Sequence, residues 1–97
     1  MTTDIPSAGQ ERPVVNPMFL FRWEETQQAY VLLYPEGVVK LNDTAGEILK
    51  RCDGAHTVGE MIDEIAREFA AAPVQIEQSV QKFLEVSHAK GWIRRQA

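Results

Sequence analysis

Apolar and polar positions alternate along Phe19-Leu-Phe-Arg-Trp-Glu24, with Phe19, Phe21 and Trp23 on one side and Leu20, Arg22 and Glu24 on the other. That period of two predicts a strand with one covered face. Glu25–Gln28 is polar and short, as a hairpin connection should be. Ala29-Tyr-Val-Leu-Leu-Tyr34 is almost continuously apolar, β-branched or aromatic, which predicts a middle strand shielded on both faces. Pro35-Glu36-Gly37 reads as a turn, because proline presets φ and glycine suits the exit. Val38–Leu41 then forms a short third strand, giving an antiparallel meander whose edges are its first and third strands.

From Asn42 onward the period becomes helical. Asn42 or Thr44 can cap the first helix, and Thr44-Ala-Gly-Glu47 fits a capping box. Ala45, Ile48, Leu49 and Cys52 share one stripe, and Gly54 closes the helix. Thr57-Val-Gly-Glu60 is a second capping box, opening a helix whose stripe is Val58, Met61, Ile62, Ile65 and Phe69. Pro73 suits the first turn of a third helix. There Ile76, Val80, Phe83, Leu84 and Ser87 share a face, Gly91 ends the helix and Trp92-Ile93 folds back onto it. The expected architecture is α+β: a three-stranded antiparallel meander followed by three helices. Residues 1–17, with Pro6, Pro13 and Pro17, are expected as a flexible or loosely docked tail, and residues 18–97 as the domain.

Composition narrows the function more by exclusion than by pointing. A chain of 97 residues makes one domain. Cys52 is its sole cysteine, so neither an internal disulfide nor a thiolate metal cluster is expected, and a reducing cytoplasm is the expected compartment. The N-terminus lacks a basic start followed by an apolar stretch, and no run approaches the roughly 20 apolar residues of a membrane span, so no membrane association is expected. Acids outnumber bases by 14 to 10. Nucleic-acid binders draw most of their affinity from phosphate neutralisation, and the only adjacent basic pairs, Lys50-Arg51 and Arg94-Arg95, read as solvated helix ends. Helices two and three could imitate a winged-helix DNA-binding regulator, which is the alternative reading. However, helix two carries four acids against Arg67 alone, and helix three balances Glu77 and Glu85 with Lys82 and Lys90. No nucleic-acid partner is expected.

The search for catalytic chemistry returns little. There is no phosphate-cradling glycine loop, no H-E-x-x-H and no C-x-x-C. His56 lies in a helix connection and His88 near a helix end, where isolated histidines are ordinary surface residues. Cys52 sits on an apolar stripe, where a thiol keeps its proton. Glu60, Asp63, Glu64 and Glu68 read as a solvated helix face rather than a metal patch. A non-enzyme without cofactor or metal is expected. The third strand is more suggestive, since an edge strand offers unpaired N–H and C=O groups. Beside an amphipathic third helix it would form a groove suited to an extended peptide. It could equally be an edge left bare or blunted by Lys40, and periodicity does not choose between these.

Trp23-Glu24, then Val31-Leu-Leu-Tyr-Pro-Glu-Gly-Val-Val-Lys-Leu-Asn-Asp-Thr-Ala-Gly-Glu-Ile-Leu49, Thr57-Val58, Phe83-Leu84 and Lys90-Gly-Trp92 together resemble the pyrroloquinoline quinone biosynthesis protein D family. The resemblance covers about residues 18–95. It implies a winged-helix-like fold and membership of the precursor-peptide recognition elements of ribosomal peptide modification. It further implies a peptide chaperone that takes the precursor peptide of pyrroloquinoline quinone to a radical S-adenosylmethionine maturase enzyme. By position, the peptide would add as a strand along Val38, Val39, Lys40 and Leu41, against Ile76, Ser79, Val80 and Phe83 of helix three. Leu41 and Phe83 also have a plain core reading. Ser79 stands where the family usually shows an aspartate, and Ser87 where a leucine is expected. Exposed strand edges and the tail also offer routes to a homodimer.

Overall fold

The computed structural model describes residues 10–94. Five strands and three helices follow in the order β1 (Val14–Val15), β2 (Leu20–Glu24), β3 (Ala29–Tyr34), β4 (Gly37–Lys40), α1 (Asp43–Lys50), α2 (Val58–Glu68), α3 (Pro73–Ala89) and β5 (Ile93–Arg94). The meander is present as expected, antiparallel and in the order β2-β3-β4. Leu32 pairs with Phe21 on one side and Val39 on the other, so these three side chains share the face that packs on the helices. Val31 faces the opposite way between Arg22 and Lys40, whose stems can lie along it. Both Val31 and Leu32 are buried, so the middle strand is covered on both faces.

The helices form where their end signals stand. Of the two candidate caps on α1, Asn42 is the one used: its side chain accepts from the Ala45 N–H at 2.8 Å. The Thr57–Glu60 box opens α2 reciprocally, with Glu60 N–H to Thr57 Oγ1 at 3.1 Å and Thr57 N–H to Glu60 Oε1 at 2.8 Å. Ala45, Ile48, Leu49 and Cys52 from α1, Val58, Met61 and Ile65 from α2, and Ile76 and Val80 from α3 bury one core against Leu32 and Leu41. Gly46 lets α1 approach the sheet closely, for a Cβ there would stand 2.7 Å from the Tyr30 ring.

Three features depart from the pattern-based expectation. From Glu11 onward, the segment read as a loose tail is bound to the domain. Val58 N–H donates to Glu11 O at 2.8 Å, Gly54 N–H to Pro13 O at 3.0 Å, Val15 N–H to Cys52 O at 3.0 Å and Asn16 N–H to Trp92 O at 2.8 Å. Val14 and Val15 thereby pair antiparallel with Arg94 and Ile93, making a second sheet that draws both ends of the domain together. Residues 1–9 lie outside the described residues. Phe69, expected at the end of the α2 stripe, instead emerges at the helix cap and is 37% exposed. Arg51, read as part of a solvated helix end, has a side chain only 12% exposed and clamps α1 to α2 through Glu47 at 2.8 Å, Glu64 at 2.9 Å and Glu68 at 3.4 Å. A guanidinium's fixed fork can engage several carboxylates at once, which the count of charges along the chain does not convey.

Candidate functional site

Among the described residues β4 has a neighbour on one side only, since it pairs with β3 and is the outer strand of its sheet. The Leu41 N–H donates to the Tyr30 carbonyl at 3.0 Å, which sets the phase of this ladder. In the register that pairs Leu32 with Val39 and Tyr34 with Gly37, alternate residues exchange hydrogen bonds across an antiparallel pair. Gly37, Val39 and Leu41 therefore turn their backbone groups toward β3. Val38 and Lys40 turn N–H and C=O outward, where no strand pairs with them among the described residues. Among the described residues the rim is open.

Side chains divide differently. Val38 and Lys40 are exposed on the sheet face away from the helices, Val39 is half-buried against the core and Leu41 belongs to the core. On α3, Ile76 and Val80 are 6% and 0% exposed. Their side chains are committed to the domain's own core, not to an open wall. Ser79 and Phe83, with Lys82 and Val86, line a cleft of about 420 Å³ facing Asn42, Thr44 and Ala45. The chain passes from the β4 edge through Leu41 directly into that cleft's rim. Phe83 is held from behind by Trp92, ring centroids 6.3 Å apart, over which the Lys90 ammonium lies at 5.8 Å. Of the residues anticipated on the helix, then, Ser79 and Phe83 reach open space. The cleft residues Lys82 and Val86 belong to the same face of α3 one turn further on, a spacing that could have been followed from Ser79 and Phe83.

Elsewhere, Cys52, Asp53 and His56 are held by burial or by close partners. Burial, with help from the Asp53 charge, pushes the Cys52 thiol up to about 12, and its Sγ lies 3.3 Å from the Ile48 carbonyl. Partial burial pushes the Asp53 carboxyl up, but hydrogen bonds from the His56 and Ala55 N–H groups and from the His56 ring outweigh it and hold the carboxyl at about 2. His56 in turn is raised by its 2.9 Å contact with Asp53, opposed by burial and helped by Glu64 at 3.2 Å. Glu60, Glu64 and Glu68, read as a solvated face of α2, serve as cap and as partners of Arg51 and His56. Such a face is a poor match for a phosphate backbone, and the DNA-binding reading finds no support in the fold. No described helix is long and apolar enough to cross a membrane.

The family model for coenzyme PQQ synthesis protein D (PqqD) matches residues 29–93, from the middle strand through β5. The chain belongs to the PqqD family. Among its relatives, a protein of Methylococcus capsulatus named PqqA binding protein is 44% identical over 80 residues, covering 82% of this chain and 84% of the relative. Another so named, from Pseudomonas paraeruginosa, is 46% identical over 84 residues, covering 87% and 90%. The fold is similar to the solution structure of the PqqD truncation of Methylobacterium extorquens PqqCD, described as a functional, stand-alone RiPP recognition element. That match has a TM-score of 0.72 at 28% identity over 84% of this chain and 87% of the other. It also resembles PqqD from Xanthomonas campestris, with a TM-score of 0.57 at 26% identity over 97% and 98%. PqqD membership and the α+β fold thus agree with the resemblance read from Val31–Leu49.

Proposed function

We propose that this chain binds the precursor peptide of pyrroloquinoline quinone by adding it as a strand to β4, and presents it to a radical S-adenosylmethionine maturase. The observation that carries this reading is the outward-turned backbone of Val38 and Lys40 beside the Phe83 cleft. A ladder of main-chain bonds supplies sequence-independent grip, and the cleft selects the side chains that alternate along the ligand. The relatives' name, PqqA binding protein, supports the same ligand. The Methylobacterium extorquens domain comes from a longer PqqCD chain, so there a recognition element is joined covalently to a second protein, which supports a handover role. This is a carrier rather than a catalyst: the domain's contribution is to order a flexible substrate. We place it in the cytoplasm, where a free, buried Cys52 is at home. Self-pairing through the β2 or β4 edge to give a homodimer would compete with the peptide for β4.

Titration of the isotopically labelled chain with the precursor peptide tests the reading. The amides of Val38 and Lys40 should shift and become protected from exchange, together with the cleft residues Ser79 and Phe83. Heat of binding with no change along β4 would remove strand addition; the absence of heat or shifts altogether would remove the carrier function.

A further inference from the structure

Next to the Phe83 cleft, and sharing Asn42 and Thr44 with it at the start of α1, lies a larger hollow of about 620 Å³. Its walls are aromatic: Trp23 and Tyr30 from the sheet, and Phe69 from the end of α2. Trp23 and Phe69 remain 44% and 37% exposed. Neither ring hangs freely. Tyr30 is wedged between Phe21, stacked at 4.9 Å, and Trp23, edge-on at 5.0 Å, with Gly46 of α1 pressed against it. The Trp23 indole N–H is anchored on Glu25 at 3.0 Å. Phe69 is set in place by a helix end in which Ala70 adopts φ 52° and Ala71 N–H returns to Ala66 O at 3.0 Å.

Asp43, Glu47 and Glu68 supply its charged lining, Ala29, Leu41, Asn42 and Thr44 its neutral part, and among the described residues no basic side chain lines it. Arg51 reaches Glu47 and Glu68 from behind while also holding Glu64, and Lys50 stands 4.0 Å from Glu47. Arg51's single charge is divided among three glutamates, and the exposed Lys50 pair is weakly held. Asp43 makes no ion pair among the described residues, so the rim keeps a surplus of negative charge over an aromatic floor.

We propose that this hollow is a docking site for a basic side chain, above all an arginine, projected by a protein partner. Aromatic faces attract cations through their ring quadrupole, and a planar guanidinium can lie on the exposed Trp23 while its N–H groups meet Glu68 or Asp43. A neutral apolar side chain would desolvate the carboxylates without pairing them. Val38 and Lys40 are not part of its lining, so a partner seated here leaves the outward backbone edge of β4 free and meets the Phe83 cleft only at Asn42 and Thr44. The proposal stands apart from the peptide-carrier reading and would survive its failure.

The test titrates the isotopically labelled full chain with the blocked tripeptide acetyl-Gly-Arg-Gly-amide, and in parallel with its citrulline counterpart, a neutral isostere. The Trp23 indole resonance and the Glu68 and Phe69 amides should shift saturably with the arginine peptide, while the Trp92 indole stays still. Citrulline should bind at least about fivefold more weakly, as expected for loss of the cation from an aromatic, carboxylate-rimmed site. Glu68→Gln should weaken the arginine peptide about threefold, and raised salt should do likewise. Trp23→Leu should abolish the shifts at Phe69, with Trp23→Phe retaining part of the affinity as a check that the sheet is intact. Equal binding of citrulline, shifts centred on Trp92 and α3, or no response at the hollow would each overturn the proposal.

Discussion

Proline placed at two neighbouring positions of β4 distinguishes the two directions in which its backbone points. At Lys40 the N–H faces outward, away from β3, and edge strands accept proline where that group looks to solvent. Lys40→Pro should therefore cost no more than about 1.5 kcal/mol of stability, mostly from fixing φ near the proline value. It removes one hydrogen bond to an added strand, worth about 0.5–1.5 kcal/mol, and strands the ligand's carbonyl, which costs about 1–3 kcal/mol once buried. Together these predict a loss of peptide affinity of roughly 10- to 1,000-fold, at about 1.4 kcal/mol per factor of ten. Val39→Pro acts on the other side: it deletes the N–H that pairs with Leu32 and replaces a half-buried side chain packed on the core. A proline there deletes a ladder hydrogen bond and leaves the Leu32 carbonyl unpaired, at about 1–3 kcal/mol before any lost packing, a large share of the roughly 5–15 kcal/mol that holds such a domain together. Urea unfolding gives the stability of each variant, and titration calorimetry with the precursor peptide gives its affinity. The reasoning fails if folded Lys40→Pro binds within twofold of the parent, or if Val39→Pro is as stable as Lys40→Pro.

Other expected outcomes follow from single contacts. Ser87 Oγ is fully buried and has no hydrogen-bond partner among the described residues, so Ser87→Ala should stabilise by about 1–2 kcal/mol, visible as a higher midpoint in thermal melts. Ala70 holds a left-handed φ of 52° that L side chains resist, and Ala70→Gly should gain about 0.5–1 kcal/mol in urea unfolding. Gly46→Ala should cost about 1–3 kcal/mol, because its Cβ meets the wedged Tyr30 ring rather than a movable chain end; an unchanged urea midpoint would contradict that close approach. The Asp53–His56–Glu64 contacts set a pH window. His56 is raised above its ordinary 6.5, so its contribution is complete below that value and is lost as pH climbs through the higher folded one. Asp53 is lowered from 3.8 to about 2, so its contribution is complete above the ordinary value and is lost as pH falls toward 2. Stability measured against pH should plateau between these limits, and His56→Gln should flatten the alkaline decline and shrink the acid one, which the backbone N–H groups of residues 55 and 56 still sustain.

What could be read from the sequence was whatever is specified locally. The alternation at Phe19–Glu24, the apolar run at Ala29–Tyr34 and the Thr57–Glu60 box each encode their element within a few residues, and the structure follows them. The features that escaped depend on partners far along the chain. Val14–Val15 becomes a strand only because Ile93–Arg94 lies beside it, and two valines between Pro13 and Pro17 carry no period to detect. Arg51 is a helix-end cation by position and an inter-helix clamp by geometry. The candidate site was half legible for a related reason. An apolar stripe tells which face of α3 is covered, but not by what: Ile76 and Val80 are covered by this chain's own core, while Ser79 and Phe83 are left facing the cleft. Likewise, the third strand was recognisable as an edge, whereas the alternation of outward groups needed the Leu41–Tyr30 hydrogen bond to fix its phase.

A carrier that works through an open strand edge must avoid capturing every extended chain, including copies of itself. The dimensions of β4 address this. The strand is four residues long, begins directly after a tight turn and runs through Leu41 into the α1 cap, so the only outward groups within it are those of Val38 and Lys40. Two residues offer about four main-chain hydrogen bonds, each contributing roughly 0.5–1.5 kcal/mol net, which falls short of the several kcal/mol spent in ordering and immobilising a flexible ligand. The exposed Lys40 further penalises a second copy of the same edge by placing like charges near one another. Binding must then be completed elsewhere, and the cleft beside Phe83, Lys82 and Val86 is where side chains of a ligand can add what the ladder lacks. Short edge and adjoining cleft make discrimination a property of the side chains, while the backbone ladder fixes only direction and register.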